Sequence, residues 1–156
     1  MSKSLKRVKA ALDTAGMTID ILELGPETRT AQQAADAAGC TVDQIAKSII
    51  FATKTSGDCI LFVTAGGNQV DPAKAAELVG DDLVKADATA IRAQTGFAIG
   101  GVSPIGHLTP TKGFFDPKLL EYAVIYAAAG TPRHIFAINP KDLHRISECQ
   151  LSDFTV

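Results

Sequence analysis

Lys47 and Ser48 stand where a short helical segment gives way to a strongly apolar stretch, Ile45-Ala46-Lys47-Ser48-Ile49-Ile50-Phe51. A strand end holds a side chain more firmly than a loop does, so a lysine there can present a cation to a phosphate or a developing oxyanion. The same position also suits a lysine that buries its stem along the sheet and keeps its ammonium in water. The second stretch with chemical potential is Gly100-Gly101-Val102-Ser103-Pro104-Ile105-Gly106-His107-Leu108-Thr109-Pro110, which packs three glycines and two prolines into eleven residues. Gly100 and Gly101 leave the main chain open to a ligand, and their N–H groups can face a phosphate, a carbonyl or an oxyanion. A rigid crossover between strands has the same composition.

Other chemistries are excluded by reading. The chain has no GxxxxGK[ST], and neither Gly66-Gly67 nor Gly100-Gly101 extends to GxGxxG, so nucleotide hydrolysis and hydride transfer have no support. Gly101-Val102-Ser103-Pro104-Ile105 resembles a nucleophile elbow, but the residue after the nucleophile must donate its N–H to the oxyanion and Pro104 has none. Ser103 is therefore a poor nucleophile. Cys40, Cys59 and Cys149 are odd in number, far apart and without zinc-ligand spacing, which argues against disulfides and structural zinc.

The elements that must position these residues can be read in order. Leu5, Val8, Leu12 and Ala15 recur at helical spacing with Lys3, Lys6 and Arg7 off the stripe, predicting an amphipathic helix that Gly16 stops. Residues 18–24 read as a strand closed by Gly25-Pro26. Thr30 caps a helix over residues 31–38 that Gly39 ends, and Thr41 caps a second short one that delivers the chain to Lys47. Residues 48–52 and 59–64 are apolar at consecutive positions, predicting a hairpin in the middle of a sheet covered on both faces. Asp71, Pro72 and Gly80 mark the cap, first residue and stop of another helix. Asp87 or Thr89 caps one more, ended by Gly96. Strands are expected over residues 97–99, 114–116, 122–127 and 134–138, with Gly130-Thr131-Pro132 turning between the last two, and Asn139-Pro140 opens a final helix. Helices and strands are interspersed without strict alternation, so the expected fold is mixed α/β (α+β): a curved mixed sheet flanked by helices, in one domain over residues 1–156.

Composition narrows the setting. At 46% apolar and 21% charged, the sequence is ordinary for a soluble globular protein. No apolar run approaches the roughly 20 residues of a membrane helix, and the first charges are followed by no signal-peptide core, so a cytoplasmic protein without membrane contact is expected. The net charge of −2 argues against a general nucleic-acid binder, but the charge is uneven. Lys3, Lys6, Arg7 and Lys9 give the first ten residues +4, and Lys112, Lys118, Arg133, Lys141 and Arg145 lie in the last third with His107, His134 and His144. Singly these are solvated surface; together they leave room for a local phosphate-tracking patch.

Thr30 with Ala34-Ala35, Gly39, the stretch from Ile45 to Phe51, the loop from Gly100 to Gly106, Gly130 before a strand, and Pro140-Lys141-Asp142-Leu143 together resemble the YbaK/prolyl-tRNA synthetase editing-domain family. The resemblance covers nearly the whole chain. It rests on a lysine and a small hydroxyl residue at a strand start, paired with a Gly-x-x-x-Pro loop. It implies a mixed sheet curved towards a barrel with helices around it, and hydrolysis of the ester of mischarged aminoacyl-tRNA, commonly tRNA(Pro) carrying alanine, cysteine or another small residue. Lys47, Gly100 and Gly101 are then the catalytic positions, and Thr30, Ser48, Val102, Ser103, Pro104 and Gly130 the substrate-binding ones. Mischarged tRNA is the implied partner, prolyl-tRNA synthetase a further one, and no metal or organic cofactor is implied; the oligomeric state is left open. Ala128-Ala129-Gly130-Thr131-Pro132-Arg133 departs from the Gly-Gly-Lys type segment of cysteine-specific members, which points towards the branch acting on small aliphatic residues.

An aminoacyl ester is already activated, so its hydrolysis needs a positioned water and a stabilised oxyanion rather than a triad. No His, Asp or Glu beside these motifs identifies a general base, which leaves a substrate hydroxyl for that role. Ile45, Ile49, Ile99 and Val102 suit the walls of a size-excluding pocket, and also an ordinary core. The rival readings are a non-catalytic tRNA-binding or regulatory module of the same fold, and a lysine enzyme that forms a Schiff base through Lys47.

Overall fold

A computed structural model describes residues 2–156. Helix α1 (Lys3–Thr14) starts at Ser2, whose hydroxyl accepts from the Leu5 N–H, and buries Leu5, Val8 and Leu12. Strand β1 (Ile21–Glu23) follows, then α2 (Ala31–Ala38), closed by a reciprocal Thr30/Gln33 capping box and ended by Gly39 at φ 73°. A 3-10 turn, Val42–Gln44, leads into β2 (Ile45–Thr53), which forms an antiparallel hairpin with β3 (Cys59–Ala65). Next come α3 (Pro72–Val79), β4 (Leu83–Lys85), α4 (Ala88–Thr95), β5 (Lys112–Phe115) and a 3-10 turn, Pro117–Glu121. The chain finishes with β6 (Ile125–Thr131), β7 (His134–Ile138), α5 (Pro140–Ser147) and β8 (Gln150–Leu151).

The strands form one mixed sheet in the order β1-β7-β6-β2-β3-β5-β8, with β4 also on β2. It is open, with β1 and β8 at its ends. As expected from its unbroken apolar run, β3 is buried along its whole length. The neighbouring edge of β2 is divided. Parallel β6 meets it only at Ile45 and Ala46, and antiparallel β4 takes the same edge from Phe51 to Thr53. Residues 47–50 face no strand on that side, so β2 and β6 part company at Lys47.

Alternation along β2 sends neighbours to opposite faces. Ala46 and Ala52, with Ile50 packed alongside, join the main core under α1, which includes Val8, Phe97, Val102, Ile105, Phe115, Ala127 and Phe136. On the other face Ile45 belongs to a cluster with Ala34 and Ala35 of α2, while Ile49 and Phe51 pack on a second cluster of Phe62, Phe114, Phe154 and Ala75 of α3. Lys47 lies between those two clusters.

Several local expectations are corrected. Residues 97–99 form no strand: Phe97 is fully buried, and the Gly101 N–H turns back onto the Ala98 carbonyl at 3.0 Å. The strand expected over 122–127 begins at Ile125 and runs through Thr131, so Gly130 and Thr131 belong to the strand and Pro132-Arg133 makes the turn. The first strand shortens to its three residues paired with β7. β2 begins three residues earlier than its β-branched composition suggests, because β6 pairs with Ile45 and Ala46. Of the two caps considered for α4, Asp87 is the one used, accepting from the Ala90 N–H. Among the described residues, no helix is long and apolar enough to cross a membrane.

Candidate active site

Lys47 is the third residue of β2 rather than its mouth, half-buried, with Thr64 of β3 beside it. Its Nζ donates to the Asn68 carbonyl at 2.7 Å. Burial pushes the Lys47 pKa below its ordinary value, opposed by the nearby carboxylates of Asp43 and Asp116. Asp116 is 3% exposed and accepts from three donors: Oδ2 from the Ala65 N–H at 3.1 Å and from Asn68 Nδ2 at 2.9 Å, and Oδ1 from the Lys118 N–H at 2.9 Å. Asp43 accepts from the Gly67 N–H at 2.9 Å. The turn carrying Asn68 is thus tied to both carboxylates. It also needs its glycines, since a Cβ on Gly67 would sit 2.5 Å from Asp43 Oδ1 and one on Gly66 would strike the Val42 carbonyl. Sequence reasoning dismissed Gly66-Gly67 as a nucleotide motif and missed Asn68, Asp43 and Asp116. The signal available was two glycines before an asparagine, which marks a tight turn but not what it touches.

Ser48 projects to the opposite face. Its Oγ is buried and makes no hydrogen bond among the described residues, a condition that costs about 1–3 kcal/mol where no other partner is supplied.

The glycine loop is held on the far side of the break in the sheet. A Cβ on Gly101 would lie 2.9 Å from Thr131 Cα and 3.1 Å from Pro132 Cδ, so the loop backbone rests directly on the end of β6. Gly100 adopts φ 86° and has nothing within 4 Å of where a Cβ would stand, which leaves its backbone approachable. The Gly101 N–H is committed to Ala98, whereas the Gly100 N–H has no partner among the described residues. Val102 packs in the core on the Ser48 face. Ser103 is fully buried; its Oγ accepts from the Ile105 N–H at 3.4 Å and its carbonyl from His107 Nε2 at 2.6 Å, so it shapes the loop and is no nucleophile. Pro104, by contrast, lines a surface groove of about 820 Å³ with Lys112 and Arg145 at the opposite end of β3 from Lys47; neither Lys47 nor Gly100 lines that groove.

Other sequence-selected residues have structural duties. The Thr30 hydroxyl is the α2 cap, accepting from the Gln33 N–H at 3.1 Å. Gly130, at φ 97°, lets the first turn of α1 approach: a Cβ there would sit 2.7 Å from the Ser4 carbonyl. Ile99 is 60% exposed at the loop. Ile45 and Ile49 flank Lys47 on its own face, in separate apolar clusters.

The loop is braced from behind by two residues that sequence reading left as surface charge. Arg7 donates to the Gly96 carbonyl at 2.7 Å and the Gly106 carbonyl at 3.2 Å, with its guanidinium 4.8 Å from the Phe97 ring centre. His107, buried and edge-on to Phe97, has Nδ1 2.9 Å from Thr111 Oγ1 as well as the Nε2 bond to Ser103. Burial, with a smaller contribution from Arg7, lowers its pKa against the opposing effect of the Ser103 hydrogen bond. The unfolded chain, with an ordinary pKa of 6.5, then binds more protons than the native one just below that pH. The stability contribution is intact above pH 6.5 and is lost as pH falls through the lowered folded value. Wild-type melts at pH 7.5 and 5.5 should therefore differ more than those of His107→Gln, and equal differences would refute this assignment.

Comparison with known proteins decides the family. The model of the aminoacyl-tRNA editing domain matches residues 25–146. The chain belongs to that family. It is 30% identical over 145 residues to the uncharacterized protein YwhH of Bacillus subtilis (strain 168), covering 92% of this chain and 91% of that one. Among solved structures, a candidate trans-editing enzyme for prolyl-tRNA synthetase superposes with a TM-score of 0.92 at 43% identity, covering 100% and 99% of the two chains. A scaffold used for computational epitope backbone grafting gives 0.93 at 42% identity with the same coverage. Lys47, Ser48, the glycine loop and Gly130 all fall inside the editing-domain match, whereas α1 lies outside it.

Proposed function

We propose that this protein is a trans-acting aminoacyl-tRNA deacylase, one unit over residues 1–156, that hydrolyses the ester of mischarged tRNA. We assign tRNA(Pro) carrying a small non-cognate amino acid as its substrate. The observation that carries this reading is the break between β2 and β6. Family membership supplies the reaction class, and the break leaves residues 47–50 of β2 without a strand beside them, Lys47 on one face and Ser48 on the face of the glycine loop, which rests on the end of β6. The similarity to the candidate trans-editing enzyme supports the choice of tRNA and of prolyl-tRNA synthetase as the upstream source of errors.

In this mechanism the aminoacyl ester enters the break with its carbonyl towards the Gly100 N–H. The Lys47 ammonium stabilises the charge that develops on the carbonyl oxygen or holds the terminal phosphate. Ser48 orients the attacking water or a ribose hydroxyl. His107 and Asp116 are engaged within the fold, so the neighbouring ribose hydroxyl of the substrate relays the proton, accepting it from the attacking water while passing its own to the ester oxygen, which leaves as a hydroxyl on the terminal ribose as the amino acid departs with the water's oxygen. Ile45 and Ile49, beside Lys47, set the upper size of the side chain admitted.

A panel of tRNAs charged with alanine, cysteine, serine and proline, incubated with the purified protein, tests the reading. Small-residue esters on tRNA(Pro) should be released and Pro-tRNA(Pro) spared, with activity unchanged by EDTA. Tight binding with no release would move the tRNA-binding module ahead, and loss in EDTA restored by zinc would replace this mechanism.

A further inference from the structure

The basic face of α1 plays no part in the chemistry above and lies outside the matched editing-domain segment. Lys3, Lys6 and Lys9 recur every three residues, rising about 4.5 Å along the axis at each step, and all are exposed. They turn away from the buried stripe of Leu5, Val8 and Leu12. None forms an ion pair among the described residues, including with Asp13, four residues beyond Lys9. The row is rigidly registered to the proposed site. Ser4 and Arg7 donate to the Gly96 carbonyl, and the Ser4 carbonyl closes on Gly130. Ser2 and Leu5 share a hollow of about 430 Å³ with Thr131, Pro132, Arg133 and His134. Thr131 and Pro132 are the residues on which Gly101 rests, so Arg133 continues the cationic row to the edge of the glycine loop. On a chain of net charge −2, overall attraction to a polyanion is absent and a local, unpaired row must supply it.

We propose that Lys3, Lys6, Lys9 and Arg133 form a docking surface for the phosphate backbone of an RNA stem whose 3′ end enters the break beside Gly100. This rests on the deacylase reading for what the stem carries, but not for the surface itself. Contacts of this kind position without reading sequence, so discrimination among tRNAs must arise elsewhere.

The test compares wild type with Lys3→Gln/Lys6→Gln/Lys9→Gln and with Lys54→Gln, a control on the exposed hairpin turn. Uncharged tRNA binding is measured between about 50 and 200 mM salt, where the triple variant should lose roughly 0.7–0.9 of slope per lysine removed. Its KM for aminoacyl-tRNA should rise about tenfold with kcat unchanged, and hydrolysis of a 3′-aminoacyl-adenosine ester, which has no stem, should be unaltered. Lys54→Gln should match wild type throughout. Equal salt slopes for triple variant and wild type overturn the surface, as does an effect confined to phosphatidylserine vesicles, which would assign it to a membrane. Were wild type inactive on every ester, the deacylase reading would fall while the binding slopes still decided the surface.

Discussion

Lys47→Ala should lower the deacylation rate by about a hundredfold or more, the scale of removing one oxyanion donor from a preorganised site. The fold should survive, because Lys47 is only half-buried and its side chain makes one hydrogen bond among the described residues, to the Asn68 carbonyl. Losing that bond costs about 1–3 kcal/mol, partly returned because a cation is no longer kept from water. For a chain of this size that is a few degrees in Tm. Lys47→Met, which keeps the apolar stem between the two clusters, should melt closer to wild type yet be equally inactive. Near wild-type turnover in either folded variant would move the chemistry away from Lys47 and favour the non-catalytic module.

The second large effect is expected at the glycine loop, where two adjacent substitutions should fail differently. A methyl group on Gly101 meets the backbone of Thr131 at 2.9 and 3.0 Å, and backbone cannot swing aside as a flexible side chain does. Gly101→Ala should cost about 1–3 kcal/mol from overpacking and displace the loop. A shift approaching 1 Å is worth about a hundredfold in rate. Gly100→Ala meets open space, so its stability cost is confined to the left-handed φ of 86°, about 1 kcal/mol. Its methyl group nevertheless enters the volume assigned to the ester, so turnover should fall more than tRNA affinity. Thermal melts beside initial rates separate the two cases. Combining Gly100→Ala with Lys47→Ala should be scarcely worse than the more damaging single change, since groups acting on one transition state are not additive. Fully multiplicative losses would show that Lys47 and Gly100 do not act together.

What the sequence by itself determined is what local physics encodes. Thr30 with Gln33 and Gly39, Asp71 with Pro72 and Gly80, and Asn139 with Pro140 satisfy or withhold backbone hydrogen bonds within a few residues, and each marks the helix boundary expected of it. The apolar runs of β2 and β3 likewise declared the hairpin, although only β3 is buried throughout and residues 47–51 of β2 are half-buried beside the break, and the lysine, hydroxyl and glycine-loop pattern was enough to suggest the family. Elements that exist only through their neighbours were not legible. β4 and β8 are three and two residues long and are strands because β2 and β5 offer edges to them. Residues 97–99 have strand composition but no edge to join, so Phe97 went into the core instead. The candidate site shows the same division. Its residue types were visible, but the break between β2 and β6, the Asn68 carbonyl under Lys47, the orphaned Ser48 hydroxyl and the contact of Gly101 with Thr131 depend on residues tens of positions apart. Only the tertiary structure decided them, because pairing register and close approach of backbones are set by packing across the sheet rather than by the conformational preferences of any one segment.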